Sequence, residues 1–272
     1  MNTKSKRKSK IKSNVDVYRR FAEVYDDISA DSHSLNMVDY TLRIFRKFRL
    51  KPKTGLDLCC GTGSAAIALA ELGFSITGVD KSKHMLRYAR QKAKSSGLTK
   101  LNPNFVNDSL PQLKQTSKES FERYDFVTCF FDSLNYMLTE KELSLAFRAV
   151  SDRLRPGGLF IFDLNSAEAL KKVWGEDVFG NAFDDSAWIT KGVYFARAKM
   201  ATVRLIMFVR KGSTEIWRRF EESHTEKAYH IIDVKRFLKL AGLIPVASYC
   251  CLTFAKAKER DHRICFVARK PE

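Results

Sequence analysis

Gly55-Leu56-Asp57-Leu58-Cys59-Cys60-Gly61-Thr62-Gly63-Ser64 is followed, after a short helix-like stretch, by Ser75-Ile76-Thr77-Gly78-Val79-Asp80. An apolar run that enters a Gly-x-Gly turn, with a second apolar run closing on an acid, is the local layout of a nucleotide-binding βαβ unit. The turn at Gly61 and Gly63 lets a ligand approach the backbone and aims the next helix's N-terminus at its negative group. With Ala66 the segment also satisfies the G-x-G-x-x-A form of the dinucleotide fingerprint. Asp80 adds a carboxylate at the end of the second strand, placed to accept hydrogen bonds from both hydroxyls of a ribose.

Working outward, strands and helices alternate. Strands are predicted at about 54–60, 75–79, 104–107, 124–130 and 159–162, with helices at about 64–72, from Ser82 to Gly97, and at 140–154. Two helices precede them. Val17, Phe21, Val24 and Ile28 recur at helical spacing, and Leu35 to Leu50 repeats the pattern before Lys51-Pro52. This alternation predicts an α/β fold with a doubly wound, mostly parallel sheet and helices on both faces. The rhythm changes after Asp163. Extended segments at 193–200, 202–210 and 215–229, with Lys211-Gly212-Ser213 as a turn, predict a small antiparallel β insertion over about 175–229. A helix at 231–241 and strands near 244–251 and 263–268 complete a main domain spanning 15–272.

Composition sets the outer bounds. At 272 residues, 44% apolar and 29% charged, the chain reads as one globular domain. No apolar run approaches the roughly 18 residues of a membrane helix and no signal peptide is evident, which predicts a cytoplasmic protein without a membrane partner. The six cysteines, Cys59, Cys60, Cys129, Cys250, Cys251 and Cys265, include no C-x-x-C pair, so no metal site is expected. Net charge is +17, and six of the basic residues lie in the first 13, which contain no acid. Residues 1–14 are therefore expected to form a disordered basic tail, and the remainder keeps +11. Such a surface attracts polyanions such as RNA; a solubilising tail is the alternative reading.

Asp57 separates candidate ligands. A carboxylate at the end of the first strand opposes a pyrophosphate but suits a ligand with an ammonium and a sulfonium, which describes S-adenosylmethionine. No G-x-x-x-x-G-K-[ST] loop is present, so P-loop nucleotide enzymes are excluded. Asp57 to Ser64, Asp80-Lys81-Ser82-Lys83-His84-Met85, Asn107-Asp108 and Arg155-Pro156-Gly157-Gly158, in that order, resemble the class I S-adenosylmethionine-dependent methyltransferases. Tyr18 to Asp26 and Phe220 to Tyr229 are similar to a subgroup of small-molecule methyltransferases that includes sugar N-methyltransferases and uncharacterised bacterial members.

The resemblance implies a seven-stranded Rossmann-like sheet, S-adenosyl-L-methionine as cofactor and roles at matching positions. Gly61 and Gly63 would line the methionine part, with Asp57 facing its charged end. Asp80 and Lys81 would border the ribose, Met85 would pack on adenine, and Asp108 with Ser109 would meet the adenine amino group. Tyr18 and Tyr25 would form a lid, and Phe130 and Phe131 would border the cofactor after strand four. Each position also has a structural reading: Asp80 and Asp108 as caps, Met85 and the aromatic stripe as core. Cys60 departs from the glycine often found there.

The acceptor is read after strand four, where Phe130-Phe131-Asp132-Ser133-Leu134-Asn135-Tyr136 lacks the Asn/Asp-Pro-Pro-Tyr of nucleobase amino methylation. No Pro-Cys dipeptide offers the nucleophile of cytosine C5 enzymes. Arg218, Phe220, Glu222, His224 and Glu226 share a strand face by period two. That face offers His224 as a proton acceptor, Glu222 as its orienting partner and Tyr18 as a further catalytic candidate; a solvated salt-bridged face is the alternative. The expectation is methyl transfer to a nitrogen or oxygen of a small molecule, with an RNA methyltransferase or a non-catalytic cofactor-binding protein as alternatives.

Overall fold

The computed structural model describes residues 17–28, 30–98, 102–113, 123–175 and 178–272. The predicted basic tail over 1–14 lies outside the described residues. Helix α1 (Ser32–Lys47) leads into β1 (Thr54–Leu58), α2 (Ser64–Glu71), β2 (Ser75–Asp80), α3 (Lys83–Ser95) and β3 (Asn104–Asn107). Next come β4 (Tyr124–Cys129), α4 (Glu140–Arg153), β5 (Leu154–Asn165) and α5 (Ala167–Val173). Four further strands follow: β6 (Val178–Ala182), β7 (Ser186–Phe195), β8 (Met200–Arg210) and β9 (Trp217–Lys227). The chain ends with α6 (Ile231–Leu240), β10 (Ile244–Cys250) and β11 (Arg263–Arg269).

The main sheet has seven strands in the order β10-β11-β5-β4-β1-β2-β3, and β6 to β9 form a separate four-stranded antiparallel sheet. In the main sheet β1 to β5 pair in parallel, while β11 runs antiparallel to both β5 and β10. The doubly wound sheet and the antiparallel insertion are thus as the sequence predicts. The order steps outward from β1 to β2 and β3 on one side, and to β4 and β5 on the other. That reversal between β1 and β4 leaves a crevice at the strands' carboxyl ends, where ligands of open α/β sheets bind.

The central strands read as apolar runs because both their faces are covered. Leu58, Val127, Phe160 and Phe162 pack under α4 and α6, against Phe147, Val150, Val234 and Leu238. On the other face Ile76, Phe126, Leu159 and Ile161 meet α1, α2 and α3 through Ile44, Phe45, Ala66, Leu69 and Leu86. Helix ends follow local chemistry. Ser82 caps α3 by accepting from the Met85 N–H, and Thr139 with Glu142 forms a reciprocal capping box on α4.

Three local expectations are corrected. Residues 17–28 are not an amphipathic α-helix but a strap of turns with a single 3-10 turn, Phe21–Glu23. Its N–H groups at Tyr18, Arg20 and Phe21 are taken by the Glu222 carboxylate instead of helix carbonyls. Its apolar residues are still buried, with Val24 and Phe21 packing on Leu205, Met207 and Phe220 of the insertion. The fifth strand, expected at 159–162, runs from Leu154 to Asn165 and takes in Pro156-Gly157-Gly158, beside a register shift in its pairing with β4. Finally, β7 begins at Ser186 and is preceded by β6, whose five residues are all exposed and so carry no burial alternation.

Candidate active site

A cleft enclosing about 1020 Å³, open to solvent at its mouth, lies at the carboxyl ends of β1, β2 and β4. Tyr18, Tyr25, Gly61, Asp80, Lys81, Met85, Asp108, Ser109, Phe130 and Phe131 all line it. Asp80 accepts from the Gly61 N–H at 2.9 Å through one oxygen and from the Ser82 N–H at 2.8 Å through the other. Burial nevertheless pushes its carboxyl above the ordinary value. Ser82, rather than Asp80, is the cap of α3. The Asp108 carboxylate accepts from the Ser109 N–H at 2.8 Å, a local turn bond. Met85 is 2% exposed yet borders the cleft, so it serves as both core and lining.

Two predicted lining residues lie elsewhere. Gly63 sits behind the turn at φ +78°, where an added Cβ would come within 2.8 Å of the Phe105 ring and 2.9 Å of the Ala89 Cβ. Its role is close packing of α3 and β3 against the turn, whereas Gly61, at φ +55°, has open space beside it. Asp57 is buried beneath the turn and does not border the cleft. Thr128 donates to one of its oxygens at 2.7 Å and the other has no partner. Burial pushes this carboxyl up to about 7.

A second cleft, of about 1170 Å³, opens between the main sheet and the insertion. Phe21, Phe179, Trp174, Trp188, Val203 and Leu205 make it largely apolar, with Thr190, Asp132 and His224 among its few polar side chains. Tyr18, Tyr25, Phe131 and Tyr136 line both clefts and form a shared wall. Tyr18, Phe131 and Asp132 hold left-handed backbone, with φ of 65°, 55° and 52°. Such conformations cost free energy in non-glycine residues and here cluster at the wall.

Strand β9 pairs regularly with β8, which puts Arg218, Phe220, Glu222, His224 and Glu226 on one face. Phe220, His224 and Glu226 are buried, and the Glu222 side chain is 9% exposed. Arg218, at the outer end, is exposed and pairs with Glu23 of the strap. His224 Nδ1 lies 2.8 Å from the Tyr136 hydroxyl, which lies 2.8 Å from the Tyr18 hydroxyl. On the other side, His224 Nε2 is 3.6 Å from Glu222. Glu222 accepts from the backbone N–H of Tyr18 at 2.6 Å, Arg20 at 3.0 Å and Phe21 at 3.2 Å. Burial raises its carboxyl, but His224 and these three donors outweigh that and hold it below the ordinary value. Glu222 is thus the clamp of the strap as well as the neighbour of His224.

Beneath the shared wall lies a post the sequence reading missed. Asp163, wholly buried, accepts from the Phe131 N–H at 2.9 Å, the Asp132 N–H at 3.3 Å and Arg263 at 2.5 Å. Arg263 also reaches Asp132 at 2.8 Å. Burial pushes the Asp163 carboxyl up, yet Arg263 and His33 hold it down at about 2. Nearby, Asn135 joins β5 to β9 by donating to the Asn165 and Lys227 carbonyls, and Asn165 donates to Glu226 at 3.0 Å. Burial, followed by the neighbouring Asp132, raises the Glu226 carboxyl well above the usual range.

The strap and the residues that join it to α1 are also tied to the first cleft. Thr62 donates to Asp26, Ser64 donates to Asp31, and Lys92 pairs with Asp26 at 2.5 Å. Tyr136 lies in the stretch after β4 from which the acceptor was read, whereas no local pattern could have signalled Trp174, Trp188 or Arg263, which reach the site from distant segments. Among the described residues no helix is long and apolar enough to cross a membrane.

A family model described as a methyltransferase domain matches residues 56–158. The chain is 30% identical over 254 residues to a protein named "Putative methyltransferase" of Geobacillus sp. (strain WCH70), covering 93% of this chain and 99% of that one. It is similar in structure to an S-adenosylmethionine-dependent methyltransferase from Clostridium acetobutylicum, with TM-score 0.81 and 30% identity over 94% of this chain and 99% of that chain. A sugar N-methyltransferase from Streptoalloteichus shares the fold at TM-score 0.72 and 18% identity, over 97% of this chain and 99% of that chain.

Proposed function

This chain belongs to the S-adenosylmethionine-dependent methyltransferases, and we propose that it methylates a nitrogen or oxygen of a small molecule held in the second cleft. The observation that carries this reading is the wall of Tyr18, Tyr25, Phe131 and Tyr136, shared by a cleft at the nucleotide turn and an apolar cleft behind it. A donor in the first and an acceptor in the second would meet at that wall. Methyl transfer is an in-line displacement, so holding both partners in line, away from water, supplies much of the acceleration.

The residues of the first cleft fit the cofactor. Each Asp80 oxygen accepts one backbone N–H and retains capacity for a ribose hydroxyl. Met85, Val79 and Leu110 offer apolar flanks for adenine, with Asp108 and Ser109 at its edge and Lys81 beside the ribose. The open side of Gly61 would admit the methionine part. Asp57, buried under the turn, would act on the ammonium through the field it sets up and not by contact. When bound, S-adenosylmethionine supplies a methyl group on a sulfonium, whose charge the aromatic faces of Tyr18, Tyr25, Phe130 and Phe131 would favour. Glu222 would hold Tyr18 over the cleft, and His224 would stand as the proton acceptor on the other side.

Transfer of radiolabelled methyl to a panel of small aromatic and aliphatic amines and alcohols, run beside total RNA, tests the reading. Label in a small molecule is expected. Label confined to RNA, surviving removal of residues 1–13, would overturn it in favour of an RNA substrate. His224→Ala should lower turnover about 10²- to 10⁴-fold, the usual contribution of a general base, with affinity for S-adenosylhomocysteine intact. Full activity in that variant removes His224 from the mechanism.

A further inference from the structure

We infer that the acceptor is an apolar, ring-bearing hydroxyl compound, a phenol or a cyclic alcohol, and that its proton leaves through Tyr136 to His224. This deepens the proposed function and rests on it. An amine brings its own lone pair and needs no base during transfer, whereas a hydroxyl gains most of its nucleophilicity as its proton departs. The second cleft contains the apparatus for that departure.

Tyr136 lines both clefts and so stands at the wall where an acceptor in the second would meet the methyl group from the first. It is 2.8 Å from the Tyr18 hydroxyl and 2.8 Å from His224 Nδ1. Glu222 stands 3.6 Å from Nε2, its charge fixed by three backbone N–H donors. A carboxylate at that side favours the tautomer with the proton on Nε2, which leaves Nδ1 to accept from Tyr136. The order of parts, an acid orienting a histidine that polarises a hydroxyl, follows the logic of hydrolase triads. Here the hydroxyl is a relay rather than a nucleophile. Burial pushes both tyrosine hydroxyls well above the ordinary value, so each remains a neutral donor.

The step balances. An acceptor-oxygen lone pair forms the new O–CH₃ bond while the S–C bond pair stays with sulfur, which becomes a neutral thioether. The acceptor O–H bond breaks, its proton passes to the Tyr136 oxygen, and the Tyr136 proton passes to His224 Nδ1. The imidazolium later releases that proton to solvent when the cleft opens. The cleft's shape sets the rest of the class. Trp174, Trp188, Phe21, Phe131 and Phe179 present flat or apolar surfaces suited to a ring, and Asp132 is already engaged by Arg263. The titratable groups around His224 are Glu222 and Glu226 from β9, Tyr136 from the turn after β4, Asp132 from the preceding loop and Tyr18 from the strap. Strand β8 opposes His224 with the uncharged Val203.

The test uses the full chain loaded with S-adenosylhomocysteine and 4-nitrophenol as probe, since its phenol and phenolate absorb at different wavelengths. The bound probe is expected to ionise at lower pH than the free one. His224→Asn, which retains an acceptor for Tyr136 but no base, should abolish that shift, as should Tyr136→Phe. Either variant suffices if the other fails to fold. With S-adenosylmethionine, 2-naphthol should be O-methylated, with kcat lowered about 10²- to 10⁴-fold in both variants and the deficit shrinking as pH rises. No binding of 4-nitrophenol, or an unshifted ionisation, overturns the inference. Methylation of 2-aminonaphthalene without 2-naphthol also overturns it but leaves small-molecule methylation standing. Methylation of RNA alone overturns both.

Discussion

The two clefts are built on opposite plans. The first is assembled from the ends of successive strands: Gly61 after β1, Asp80 at the end of β2, Asp108 after β3 and Phe130 after β4. Each group sits within three residues of a strand's carboxyl end, so sheet topology alone brings them together. The second cleft draws Phe21 from the strap, Phe131 from the loop after β4, Trp174 from the end of α5, Trp188 from β7 and His224 from β9. Those residues meet because the insertion folds over the sheet and the strap packs on both. A family can therefore keep the first plan and vary the second, with the methyl donor constant and the acceptor free to change.

The largest expected effect falls on the post that both clefts share. Arg263→Ala leaves Asp163 buried without its cation, and breaking a buried pair in this way costs about 3–5 kcal/mol, measurable by urea unfolding. The pH dependence should weaken. In the native protein Asp163 is held at about 2, below the unfolded value near 3.9. Its contribution is therefore present above pH about 4 and is lost as pH falls toward 2. In the variant burial is still opposed by His33 and by the Phe131 and Asp132 N–H donors, so the folded value rises toward the unfolded one and the loss of stability at low pH shrinks. Equal stability of the variant and the parent would show that the clefts do not rest on a common support.

Asp80→Ala should weaken S-adenosylhomocysteine binding by about 1–3 kcal/mol, the cost of lost hydrogen bonds to a buried charged acceptor, while 4-nitrophenol binding stays as in the parent. Calorimetry of both ligands decides it. Parallel losses would break the separation of the two clefts, and unchanged cofactor affinity would refute the role of Asp80. A smaller effect is expected from Glu222→Gln. The amide oxygen still accepts from the strap but without charge, a loss of about 1 kcal/mol. Hydrogen exchange at the Tyr18, Arg20 and Phe21 amides should quicken, while the amides of β1 and β2 exchange as before. Unchanged exchange at the strap would mean that its packing, not Glu222, holds it.

Legibility followed the same division. Asp80, Met85 and Asp108 were readable because each lies at a fixed place relative to a strand end. Even there, contacts at long sequence separation reassigned two residues. Gly63 proved to be a packing glycine against Phe105 and Ala89, and Asp57 a buried group held by Thr128 of the neighbouring strand. His224 and Glu222 were visible as alternate residues of one strand, but nothing local revealed that Glu222 clamps a backbone more than two hundred residues away. The strap misread as a helix shows the cause: the spacing of Val17, Phe21 and Val24 fits a helix, while the donors that would form it are captured by a distant carboxylate.

By itself the sequence determined the alternation of strands and helices, the site at the β1 turn and hence the methyl donor, because periodicity and strand-end chemistry are local. Only the tertiary structure decided which residues close the second cleft, and with them the candidate acceptor. Tyr136, Trp188, His224 and Arg263 come together through burial and hydrogen bonds across the fold, and those long-range contacts leave no fixed spacing in the chain.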